Sequence, residues 1–198
     1  MKPSQAPPKA PRPTQRARLG SRNFRALARG VALIELALVL PVLLLLALGV
    51  IDFARAIQFN NVVNHLTREG ANLAARSGEQ PQFILKALMD TAEPLEMNTS
   101  GMMYITKLTG LSDGRASVDA QYRPLTGGNQ SLVSRIWGGC PGWVSGTCSV
   151  PNTSPIISLS VPLTLGETVY AVESLYDYTL LTRYVLSSDP LLYSLTIL

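Results

Sequence analysis

The side chains in this 198-residue chain that could do chemistry are few, and their spacing does not bring them together. There is one histidine, His65, and there are two cysteines, Cys140 and Cys148. A zinc site on the cysteine pair would need two further ligands, and His65 lies in a different segment, so no metal or cofactor site is expected. Any Ser-His-Asp or Cys-His arrangement would have to use His65, and GxSxG, HExxH and P-loop motifs are missing. Asp113, Asp119, Glu167, Glu173 and Asp177 could be paired by a fold, but nothing in their spacing says so. An enzyme is not expected. Two other positions ask for an explanation. Glu35 is an acid inside an otherwise apolar run, and Gly30 stands where a basic leader meets that run.

Charge is distributed unevenly. Residues 1–30 hold eight of the seventeen Lys and Arg residues and no Asp or Glu. The remainder therefore carries nine cations against thirteen acids, a net charge of −4. The high pI belongs mostly to the leader. A Pro-rich basic tail can bind phosphate backbones, but this one runs straight into an apolar segment, so nucleic acid is not an expected partner.

Leu36–Ile51 is a sixteen-residue stretch without a charge, and Val31–Ile34 extends it to twenty-one residues interrupted only by Glu35. A helix crossing the hydrocarbon core needs about 20 apolar residues. The leader's cations should remain cytoplasmic, which exports the C-terminal part. A secretory signal peptide is the rival, with Ala47-Leu48-Gly49 as a passable cleavage site. Against it stand the thirty-residue leader and the acid inside the apolar region.

The junction Arg29-Gly30-Val31-Ala32-Leu33-Ile34-Glu35 resembles the type IV prepilin signal. The stretch RGVALIELALVLPVLLLLALGVIDFARA is similar to the TadE-like family, minor pseudopilins of the tight-adherence pilus. The likeness is good over about residues 29–78, including Pro41 and REGANLAARSG, and looser beyond. It implies cleavage between Gly30 and Val31 by a prepilin peptidase and places Glu35 at the fifth mature position. It also implies assembly with major and other minor pilins and with an inner-membrane assembly platform.

Elementary chemistry is compatible with that implication. Gly30 has no side chain to keep a peptidase from the backbone. An ionised carboxylate in a bilayer costs about 2.5–3.5 kcal/mol on insertion scales, so Glu35 should have a partner. A newly freed Val31 amine, on the same or a neighbouring subunit, is a cation at the right depth. The alternative is that Glu35 snorkels to the interface as an ordinary anchor residue. Pro41 is either a harmless kink or a point where the helix bends on leaving the bilayer.

Beyond Ile51, Phe53, Ile57, Val63, Leu66, Gly70 and Ala74 recur at helical steps. Asp52, Arg55, Gln58, Asn61, Asn64, Arg68 and Asn72 take much of the other side. This predicts an amphipathic extension ending near Ser77-Gly78. Residues 81–89 suggest a short second helix with proline at its start. Strands are expected over 103–108 and 116–122, around an Asp-Gly turn, then over 156–161 and 168–178, while the apolar Leu191–Leu198 either forms a last strand or packs back on the core. Residues 124–155 read as a long surface loop. In a reducing compartment its cysteines would be unrelated thiols; outside the cytoplasm they would close a small disulfide loop. Trp137 and Trp143 beside them either pack locally or face a partner.

The expected fold class is α+β. It consists of a cleaved leader (1–30), a transmembrane helix (31–51), its amphipathic extension (52–78) and an extracytoplasmic head with a small antiparallel sheet (79–198). The expected role is a pilus assembly subunit in the inner membrane, in contact with lipid, that enters or primes the filament. The rivals are an unprocessed membrane-anchored binding module and a conventionally secreted protein starting near Val50.

Overall fold

The protein's structure, a computed structural model, describes residues 21–181 and 190–198, with side chains described from Val31 onward. The leader's first twenty residues, with most of its cations, lie outside the described residues. The chain divides into two compact units, one ending at Leu46 and the other covering Ala47–Leu198. The fold is α+β, a long apolar helix followed by an antiparallel sheet.

Helix α1 runs over Ser21–Arg76 with Pro41 inside it. It begins within the leader, so Gly30 and Val31 lie in continuous helix. In the first unit, every described side chain from Val31 to Leu46 is exposed.

The second unit is built on a seven-stranded sheet. Its strands are β1 (Gly101–Gly110), β2 (Ala116–Tyr122), β3 (Trp143–Val144), β4 (Thr147–Cys148), β5 (Ile156–Ile157), β6 (Thr168–Asp177) and β7 (Leu191–Ile197). The order is β3-β4-β2-β1-β6-β7, with β5 also pairing with β2. The β1–β2 connection turns at the expected Asp-Gly, where Gly114 takes φ +79°, a conformation that favours glycine. The strand expected over 156–161 is cut to Ile156–Ile157, because only those two residues find partners, at Ala116 and Ser117.

Both faces of this sheet are covered. On one face, α1 and α2 (Pro81–Asp90) pack on Met103, Ile105, Val172 and Tyr176, with Val63, Leu66 and Leu85 in the same cluster. Gly70 lets the helix come close, since a Cβ there would meet Val172 Cγ1 at 3.1 Å and Leu88 Cδ1 at 3.2 Å. Thr67 and Ser194 link α1 to β7 through a 2.9 Å hydroxyl hydrogen bond. α2 starts at Pro81, where proline's missing N–H costs nothing. A single turn, α3 (Met97–Ser100), leads into β1.

The core-facing stripe of α1 differs from the sequence reading. Asp52, Phe59, Val63, Leu66, Thr67, Gly70 and Ala71 are buried, whereas Phe53 and Ile57 are exposed. The steps 52, 59, 63, 66 and 70 define one helical face, and Phe53 and Ile57 fall outside it.

The opposite sheet face is covered by the segment expected to be a surface loop. Leu108, Val118, Val169 and Ala171 pack against Leu163, with Ile136 and Trp137 alongside. Met102, Tyr104 and Leu175 pack beside Leu132, Trp143 and Tyr193. Residues 124–155 thus act as a third layer over the sheet.

Candidate functional site

Two places concentrate functional chemistry, the start of the anchor and the polar centre under the third layer. In the anchor, Gly30, Val31 and Glu35 occupy consecutive turns of α1. Val31 and Glu35 are exposed, and among the described residues Glu35 has no ion-pair partner. The helix from Val31 is long and apolar enough to cross a membrane, and its most apolar window is not buried anywhere.

In the head, Glu173 on β6 is fully buried. Its Oε1 accepts hydrogen bonds from the Arg135 N–H at 2.9 Å, the Ile136 N–H at 3.1 Å and the Tyr193 hydroxyl at 3.0 Å. Its Oε2 accepts from the Ser134 hydroxyl. Ser134 Oγ in turn accepts from Gln121 Nε2 at 3.0 Å and the Trp137 N–H at 3.2 Å. Gln121 also donates to Thr106 Oγ1 and to the Trp137 carbonyl. Burial, and then the nearby Glu173 charge, push the Tyr193 phenol far above its ordinary range. The Arg135 guanidinium lies 4.6 Å from the Tyr193 ring centre. A buried carboxylate saturated by donors is a structural anchor. It ties residues 134–136 and β7 to one point on β6.

The remaining acids stay apart. Asp113 is held below its usual range by the Arg115 side chain, and Glu167 by the Thr164 N–H and hydroxyl. Asp119 accepts from Thr109 and Ser117. His65 is exposed on α1. Among the described residues no cluster of three His, Cys, Asp or Glu could hold a metal ion.

Cys140 and Cys148 are joined by a disulfide with Cα atoms 5.9 Å apart. The bridge closes the short β3–β4 hairpin, where Trp143 pairs with Cys148. Trp143 stacks near Tyr104 and beneath the Arg123 guanidinium, 4.6 Å from its ring centre. Trp137 is half-buried against the sheet, and its carbonyl is taken by Gln121. Local packing, the first of the two readings of the tryptophans, accounts for both.

Two acids were not legible as buried. Asp52, read as part of the polar side of α1, accepts the Leu181 N–H on its carboxylate at 2.9 Å. Its backbone carbonyl accepts from the Tyr178 hydroxyl at 3.2 Å. Glu173 sits in register with Val169, Ala171 and Leu175 on an inward-facing side of its strand. That alternation was the available signal, but it could be used only with the knowledge that the second sheet face is covered.

Fold and sequence together define a class: among the described residues, one apolar helix long enough to serve as a membrane anchor, followed by an α+β head. Within it, residues 30–72 match the TadE-like protein family. The match begins at Gly30, runs along α1 to Asn72 and leaves the sheet outside it. No curated protein and no solved structure matches the chain.

Proposed function

We propose that this protein is a minor pseudopilin, an assembly subunit of a tight-adherence pilus. A prepilin peptidase cuts after Gly30, and the mature chain starts at Val31 in the inner membrane with its head outside the cytoplasm. The new amine compensates the Glu35 carboxylate, on the same or a neighbouring subunit, and this pairing sets the register with other pilins on the assembly platform. The role is structural, with no catalysis by the subunit itself.

The observation that carries this reading is the family match starting at Gly30, on a helix whose Glu35 is exposed among apolar side chains. Charge in a lipid-facing helix is costly and marks a functional position. An ammonium at the helix N-terminus adds to the positive end of the helix dipole, and an acid within the first turns is favoured there.

Intact-mass analysis of the chain co-expressed with a prepilin peptidase tests the proposal. A mature species beginning at Val31 is expected. A full-length species would favour an unprocessed anchored binding module, and a start near Val50 a conventionally secreted protein. Gly30→Leu should slow the cut strongly; normal cutting of that variant would remove the assignment of the site.

A further inference from the structure

Where the helix stops facing lipid is set by the head as well as by the sequence. Asp52 ends the charge-free run at Ile51, and read alone it would mark the edge of the bilayer. In the structure this acid is only 3% exposed. It points into the head, where the Leu181 N–H meets its carboxylate at 2.9 Å. Arg55, the next charge, is also folded inward, with its guanidinium 5.5 Å from the Phe59 ring centre and 5.9 Å from that of Tyr178. The outer side of α1 at the same level carries Val50, Phe53, Ala54 and Ile57. Phe53 is 69% and Ile57 48% exposed. The exposed side turns polar only from Gln58, Asn61 and His65 onward. Beside Asp52, Leu181 presents a further half-exposed apolar side chain.

We propose that this membrane-proximal surface is embedded in the lipid interface, so that the head sits directly on the outer leaflet and the bilayer boundary lies between Ile57 and Asn61. The inference rests on the membrane-anchor part of the proposed function. Its occupant is lipid because the exposed patch follows directly in sequence on the charge-free run ending at Ile51 and exposes apolar side chains at Val50, Phe53 and Ile57. Length points the same way. The twenty-one residues of Val31–Ile51 span about 31 Å, roughly the hydrocarbon core, and continuing to Ile57 adds about 9 Å, which falls within the interfacial region of a bilayer about 40–45 Å thick overall. By taking in Asp52 and Arg55, the head removes the two charges that would otherwise keep this stretch in water.

The test uses the full chain in phosphatidylethanolamine–phosphatidylglycerol vesicles, with a nitroxide placed singly at Leu44→Cys, Phe53→Cys, Ile57→Cys or Asn61→Cys. All four side chains are exposed, and the native cysteines are bonded to each other. Power saturation then compares accessibility to oxygen and to a water-soluble nickel chelate. The oxygen-to-nickel ratio at 53 and 57 should lie between those at 44 and 61, falling from 53 to 57, and exceed that at 61 several-fold. If 53 and 57 behave like 61 while 44 remains lipid-like, the inference is overturned and the anchor stands. A water-like signal at 44 overturns the anchor reading and the inference with it. Shielding of 53 and 57 from both reagents would place protein, such as a second copy of this chain, on the patch and would also overturn the proposal.

Discussion

Glu35 and Glu173 are both carboxylates in apolar surroundings, and they are handled in opposite ways. Glu173 is enclosed by the head and satisfied from within it, by two backbone N–H groups and two hydroxyls. Glu35 stands on an exposed apolar helix and has no ion-pair partner among the described residues. The first acid serves the folding of its own domain. The second makes sense only with something added, whether a new N-terminus, another subunit or the membrane interface. Asp52 lies between these cases. It is an acid at the end of the apolar run that the head has taken inside.

If this contrast is correct, mutations in the two regions should separate stability from assembly. The largest effect on the head should come from Glu173→Ala, which leaves four donors without their acceptor. Each buried unsatisfied group costs about 1–3 kcal/mol, so a loss of about 4 kcal/mol is expected in chemical denaturation of the head. A loss under about 1 kcal/mol would mean that the network does not hold the third layer. Replacing both Cys140 and Cys148 by serine removes a bridge spanning eight positions. About 2 kcal/mol should be lost on chain-entropy grounds, with protease sensitivity rising first within residues 134–148. Thr67→Val breaks the hydroxyl link to Ser194 and leaves that buried serine short of a partner, for a cost of about 1 kcal/mol.

The Tyr193 phenol is held neutral in the folded head, with its pKa raised first by burial and then by Glu173. Its contribution is fully present below the unfolded value near 10. It is lost as pH rises above that value, because the unfolded chain then releases a proton that the folded head retains. Urea midpoints measured on both sides of pH 10 should therefore fall with pH, and Tyr193→Phe should flatten the fall. An unchanged slope in that variant would show that Tyr193 does not carry the effect.

Much of this was legible in the residues themselves. The apolar run, the Gly30 junction and the out-of-place Glu35 are local features, and they carried the resemblance that the family match over residues 30–72 supports. The β1, β2 and β6 strands followed from alternation and an Asp-Gly turn, and α2 followed from a proline before an apolar stretch. What could not be read depends on long-range packing. Residues 124–155 are rich in turn formers and look like surface, yet they bury the second sheet face through Trp137, Ser134 and Leu132. The facing of α1 was misread at Phe53 and Ile57 because their helical spacing is compatible with a core stripe. The seat of Asp52 against Leu181 and Tyr178, with Phe59 packed on Tyr176 and Tyr178, fixes the rotation of that stretch.

Glu35→Ala, followed in cells that make the pilus, separates assembly from folding. Normal cutting after Gly30, an unchanged urea midpoint for the head, and loss of the subunit from sheared filaments and from cross-linked complexes with other pilins are expected. Incorporation of Glu35→Ala at the wild-type level would contradict a role for Glu35 in assembly.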